Sequence, residues 1–257
     1  MSATTHAIDI PYPEAADLHL KLTVGACKLS LEPGEEASWI QGTYSDPTGT
    51  LPLRVQQEGG QVKISQSPSL GELLRLPTSV PRLELRLGTG RAYSLSLETG
   101  ASDSELDLGG LPLRRLEIKQ GAGKMEVDFS RPNPEPMSLL RLTSGAAGLE
   151  IDHLANANFA EMTVEGGAAA YRFDFDGRLQ RAGHARITAS AASVEIHVPS
   201  DVAARIIAEL TVSTLDLGDG FTKKEGAFWT PRALKDAEPA LLIEVALSVG
   251  VLRLRTD

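Results

Sequence analysis

The residues best placed to do chemistry are acidic. Asp128, Asp152 and Asp174 each close an alternating apolar run: Met125 and Val127, Leu149 and Ile151, Tyr171 and Phe173. If these runs are strands that stack, neighbours about 4.8 Å apart bring the three carboxylates into one row, with His197 as its next member. Like charges directly opposite one another repel, which gives such a row a reason to take a cation. Calcium accepts carboxylate oxygens in this manner, so Asp128, Asp152 and Asp174 form the candidate metal ladder and Ca2+ the candidate ion. A second outward row is expected from Asp107, Glu126, Glu150, Arg172 and Glu195. The competing reading is a solvated acidic face, with Arg172 and His197 relieving the repulsion.

No other constellation stands out. The five histidines, His6, His19, His153, His184 and His197, share no metal-ligand spacing. Ser and Thr are plentiful, but none is paired with a His and an acid in a recognisable motif. There is no Walker loop, GxSxG elbow, HExxH or EF-hand spacing. The glycine runs lie between strand patterns and do not open a helix, so they lack what makes a phosphate cradle. Cys27 is the single cysteine and sits in an apolar stretch, which reads as an inert buried thiol. No catalytic or cofactor-binding residue is assigned, and the chain is expected not to be an enzyme.

Composition narrows the partners. A formal charge of −9 and a pI near 5.1 disfavour nucleic acid and anionic membrane surfaces. Lys and Arg are dispersed, and the pairs Arg114-Arg115 and Lys223-Lys224 are too small to form a basic stripe. Aromatics are 5% of the chain, which suits a narrow aliphatic core better than a carbohydrate platform. The N-terminus lacks the pattern of a signal peptide, and no run of apolar residues is long enough for a membrane span. Cytoplasmic is therefore the default location, with envelope association open if an anchor or partner exists.

The elements that would hold the acidic rows are repeats. Seven segments place an apolar residue on each side of six residues rich in Gly, Ala, Ser and Thr: Leu22-TVGACK-Leu29, Ile118-KQGAGK-Met125, Leu142-TSGAAG-Leu149, Val164-EGGAAA-Tyr171, Ile187-TASAAS-Val194, Leu210-TVSTLD-Leu217 and Val245-ALSVGV-Leu252. An eighth, Leu97 to Leu106, reads as two residues longer. From Leu97 the starts step by 21, 24, 22, 23, 23 and 35 residues. The flanks alternate with period two, as half-buried strands do. The octad ends lie an odd number of residues apart, so both face inward only if the chain turns a corner or bulges between them. These features predict an all-β fold: a single-stranded β-solenoid, β-helix-like, of stacked coils of about 22 residues. It would form one domain over 1–257, interrupted at 32–81 and 218–240. The first interruption contains a hairpin turning at Glu58-Gly59-Gly60, and both read as caps carrying Trp39 and Trp229.

The run LELRLGTGRAYSLSLETGASDSELDLGGLPLRRLEIKQGAGKMEVDF from Leu83 resembles the bacterial toast-rack domains of unknown function. These are similar to adhesin-like and cell-wall-active antibiotic response proteins. The likeness rests on Thr99-Gly100-Ala101, Leu106-Asp107-Leu108, Leu111 through Leu116 and Gly121-Ala122-Gly123. Trp229-Thr230-Pro231 and the strand from Leu242 match the closing pattern, so it spans roughly 16–257. It implies a β-solenoid in envelope-stress sensing or surface adhesion, often beside membrane segments that this chain lacks. It supplies no catalytic residue. The expected function is a non-enzymatic binding or scaffold protein with a protein partner or as a homo-oligomer. A small-ligand sensor using the two interruptions and a polysaccharide-active enzyme are the alternatives.

Overall fold

The computed structural model describes residues 4–66, 79–236 and 239–257. The chain is all-β, with one short 3-10 turn at Leu154–Ala157 among the described residues. Its first part comprises β1 (Thr4–Pro11), β2 (His19–Val24), β3 (Lys28–Pro33), β4 (Ser38–Asp46), β5 (Leu53–Glu58), β6 (Gln61–Gln66) and β7 (Arg82–Leu87). The middle holds β8 (Tyr93–Ala101), β9 (Asp103–Asp107), β10 (Leu113–Asp128), β11 (Met137–Asp152), β12 (Phe159–Gly166), β13 (Ala170–Asp174) and β14 (Gly183–His197). The last part is β15 (Ala204–Leu217), β16 (Thr222–Lys224), β17 (Ala227–Trp229) and β18 (Leu241–Arg255).

The repeat period appears directly in the pairing. Leu97, Ile118, Leu142, Val164 and Ile187 are successive parallel partners across β8, β10, β11, β12 and β14. Both ends of these octads are buried, as are Leu22, Leu29, Val245 and Leu252. The buried side chains join into one cluster reaching from Ile8 to Leu254. At two corners the backbone requires glycine. Gly123 has φ 104°, and a Cβ there would sit 2.2 Å from the Ser102 carbonyl oxygen. Gly250 has φ 139°, and its Cβ would lie 1.8 Å from the Ala192 oxygen. Side chains are excluded because the layers approach at backbone distance.

Two octads differ from their sequence assignment. Met125 pairs with Ser104, and Val127 with Leu106. The segment from Leu97 therefore has ordinary length, and a buried serine takes the place assigned to Leu106. Near the C-terminus Val245 pairs with Ala208 and Leu252 with Leu215. Leu210 and Leu217 are thus two residues past the matching positions. Both shifts preserve the alternation of faces, so period-two patterning could not distinguish them.

The layers also do not stack in chain order at either end. β18 lies between β14 and β15, parallel to both. Its inward residues Leu241, Ile243, Val245, Leu247, Leu252 and Leu254 are larger in sum than Ala204, Ile206, Ala208, Leu210, Leu215 and Leu217 of β15. The more apolar strand takes the position covered on both sides. At the opposite end β2 lies between β6 and β8, and β3 between β7 and β9. Region 32–81 thus contributes β6 to the stack; its hairpin turns at Gly59 as expected, with β5 antiparallel along β6. The outer edge of β7 is covered by β4, and β4 by β1. Trp39 on β4 is fully buried, stacked on Tyr12 and edge-on to Tyr93.

Gly250→Ala should destabilise the fold by roughly 3 kcal/mol, since a Cβ clashes with backbone and the φ is unfavourable. Gly148→Ala, where a Cβ meets nothing within 4 Å, should change stability by under about 0.5 kcal/mol. Denaturant unfolding of the two variants checks the contrast.

Candidate functional site

The parallel register places the acidic residues in rows on the outward face of the second half of each layer. Asp107 pairs with Asp128, Asp128 with Asp152, Asp174 with His197, and His197 with Arg255. The adjoining row runs Glu105, Glu126, Glu150, Arg172, Glu195 and Arg253. Asp107 thus belongs to the Asp128 row, and Glu105 takes the place the sequence reading gave it. This follows from Ser104 completing its octad.

The row is not a set of open carboxylates. Asp107 accepts from the Ser130 hydroxyl at 2.7 Å and the Gly109 amide at 2.9 Å. Asp128 is bound by His153 Nδ1 at 2.7 Å. Asp152 accepts from Arg172 Nη1 at 2.7 Å, and the same guanidinium reaches Asp174 at 3.3 Å. Asp174 also meets His197 Nδ1 at 2.8 Å. On the adjoining row Lys124 binds Glu126 and lies 3.5 Å from Glu150. Asp128, Asp152 and Asp174 are therefore brought to one face, but each is already held by a cationic or hydrogen-bonding side chain. Among the described residues no three His, Cys, Asp or Glu side chains gather as a metal site. These pairs are partly exposed, where each contributes little alone; together they relieve like-charge repulsion between layers.

His153 follows β11 in the left-handed region, φ 55°, which turns its ring back over Asp128. The Asp128 hydrogen bond raises its pKa above the ordinary value. His184 lies between Glu161 at 3.3 Å and Glu244 at 3.1 Å, with Arg186 on the same Glu244 at 2.9 Å. His19 is lowered by desolvation, and His6 is exposed on β1. Burial pushes the Cys27 thiol up to about 12, which makes it a poor nucleophile at neutral pH. Trp229 is held by its own surroundings: its indole donates to the Lys224 carbonyl at 3.2 Å, and Arg205 sits over the ring.

A group absent from the sequence reading closes the return turns. Asn133 Nδ2 donates to the carbonyls of Leu113 at 2.8 Å and Ala157 at 3.2 Å. Asn156 donates to Phe129 at 2.8 Å, and Asn158 to Asn133 and Glu135 at 3.2 and 3.0 Å. All three side chains are buried and tie one layer to the next. The available signal was their separation: Asn133 and Asn156 are one repeat apart.

The His153–Asp128 pair generates a pH prediction. A histidine whose folded pKa is raised contributes stability that is fully present well below its unfolded value of 6.5. That contribution is lost as pH rises through the raised folded value. The stability of the native chain relative to His153→Gln should therefore be greatest under mildly acidic conditions and decline towards alkaline pH. Parallel denaturant titrations across that range check this; a pH-independent difference would contradict it.

No curated protein matches the chain. Among solved structures it is similar to a proposed cell-adhesion protein from Clostridium sporogenes, at 16% identity and TM-score 0.56 over 100% of both chains. A proposed adhesin from Bacteroides fragilis aligns at 12% identity and TM-score 0.43, covering 99% of this chain and 97% of that one. A proposed lipid-binding protein from Parabacteroides distasonis aligns at 16% and 0.41, covering 98% and 96%. The first of these shows a shared fold. The family model for the N-terminal domain of toast_rack, DUF2154, matches residues 2–151, more than half of the sequence, and the chain belongs to that toast-rack family.

Proposed function

We propose that this chain is a non-enzymatic binding or scaffold protein that works at the bacterial envelope, in an adhesive or stress-sensing setting. In this reading the parallel stack is a β-solenoid with coils of about 22 residues. Its working surface is the flat outward face on which Glu105, Glu126 and Glu150 adjoin Asp107, Asp128 and Asp152. The observation that carries the reading is the in-register parallel pairing of Asp107, Asp128 and Asp152, which repeats one side-chain pattern across successive layers. Such a face suits broad contact with a macromolecular surface better than enclosure of a small substrate. The likeness in fold to the Clostridium sporogenes protein supports the setting. Trp39 of the first interruption is fully buried.

Co-sedimentation of the purified chain with isolated bacterial envelopes tests the reading. Retention through basic groups of envelope proteins is expected, since an acidic face does not take anionic lipid, and Glu126→Lys combined with Glu150→Lys should lower the bound fraction about fivefold. Turnover of a glycan or metabolite without envelope retention would contradict it.

A further inference from the structure

The two ends of the stack are finished differently. At the N-terminal end β5 covers β6, and β4 with β1 covers β7. At the other end β15 pairs with β18 along its whole length, but its outer edge meets β17 only at Arg205 and Ile206. From Ile207 to Leu217 that edge has no strand partner among the described residues. An uncovered edge of this length is normally guarded by Lys, Pro or a covering segment. The stretch Ile207–Leu217 contains no Lys, Arg or Pro. Its side chains are unusually exposed for apolar residues: Val212 70%, Leu215 37% and Leu217 40%, beside Val249 at 50% on β18. Leu215 and Leu217 correspond to Leu252 and Leu254, which the neighbouring layer buries completely.

We propose that the open edge of β15 docks a second copy of this chain, the two β15 strands pairing antiparallel about a two-fold axis between Val212 and Ser213. The occupant follows from self-complementarity, which a two-fold interface requires. This register stacks corner on corner, with Thr211 opposite Thr214. It also sets inward residues against inward residues, Leu210 against Leu215 and Ala208 against Leu217. The corner reverses the parity of the faces, so registers one residue away lose this match. The charges agree as well. Glu209 is exposed and has no ion pair among the described residues. Its opposite is Asp216 of the second copy, whose carboxylate is bound by Arg255 at 2.6 Å and approached by Arg253 at 3.7 Å. Both guanidiniums lie on β18, one strand behind Asp216, and Arg253 has Glu195 of β14 as its register partner on the other side. Each copy's Glu209 approaches the other's Arg253–Asp216–Arg255 group from the edge. The β17 contact at Arg205 and Ile206 lies just beyond the paired stretch, so the interface is bounded at both ends.

Sedimentation equilibrium of the full chain tests the assignment. The expected species has twice the 27.4 kDa mass of one chain. Val212→Lys sets two ammonium groups beside the axis and should raise the dissociation constant at least about tenfold. Glu209→Lys should raise it about threefold through the lost charge match. Val55→Lys, on the outer strand at the opposite end, should leave it unchanged. Thermal melts confirm that each variant folds. A monomer at concentrations on the order of 100 μM overturns the proposal. So does a dimer insensitive to Val212→Lys, or a series of higher oligomers, which would mean head-to-tail stacking. Because the readout is mass, its failure is separable from failure of envelope binding.

Discussion

Side chains on an extended chain alternate between faces, so residues seven apart point in opposite directions. Each complete layer of this protein nonetheless buries both members of such a pair, Ile118 with Met125 and Ile187 with Val194 among them. The chain must therefore change its face at every corner, and each corner must rest on the one below. Small residues are the consequence. Where the approach is closest, as at Gly123 and Gly250, only glycine fits, and its positive φ supplies the turn. Opposite the corner, Asn133, Asn156 and Asn158 return the chain by giving their amide hydrogens to carbonyls of adjacent layers. Apolar filling fixes the inside of each layer, while corners and asparagines fix its height.

The same requirement orders the layers. A layer in the middle of the stack is covered on two sides and a terminal one on only one side, so the most apolar segments gain most from internal positions. β18 displaces β15 in this way from the place that chain order would give it; β2 with β3 also lies inside β6 with β7, although β7 buries Leu83, Leu85 and Leu87 against Leu29 and Leu31 of β3. A terminal strand then needs cover for its edge. β1, β4 and β5 supply it at one end, whereas β17 supplies two residues of it at the other. The asymmetry of the two ends is the main feature of the surface that the repeat itself does not dictate.

Much of this was legible in the residues. The period, the corner composition, the all-β class and the hairpin at Gly59 all express local chemistry repeated many times. The register of Leu97–Leu106 and Leu210–Leu217 was not, because a slip of two leaves the inward pattern intact and a buried serine breaks it. Layer order was not legible either, since it depends on comparing strands far apart in the chain. For the acidic face, the positions of Asp128, Asp152 and Asp174 followed from the period. Their neutralisation did not, except for Arg172 and His197, because His153 and Lys124 reach in from a turn and a corner outside the rows.

Packing, and not chain order, sets the sequence of layers, so that β18 lies between β14 and β15. Paired cysteines on the outward face read this directly, because Thr188 is the partner of Ala246, and Ala246 of Glu209. Oxidation followed by mass spectrometry should yield an intramolecular disulfide in Thr188→Cys/Ala246→Cys and none in Thr188→Cys/Glu209→Cys, whose sites are two strands apart. A disulfide in the second variant and none in the first would restore chain order and contradict the account.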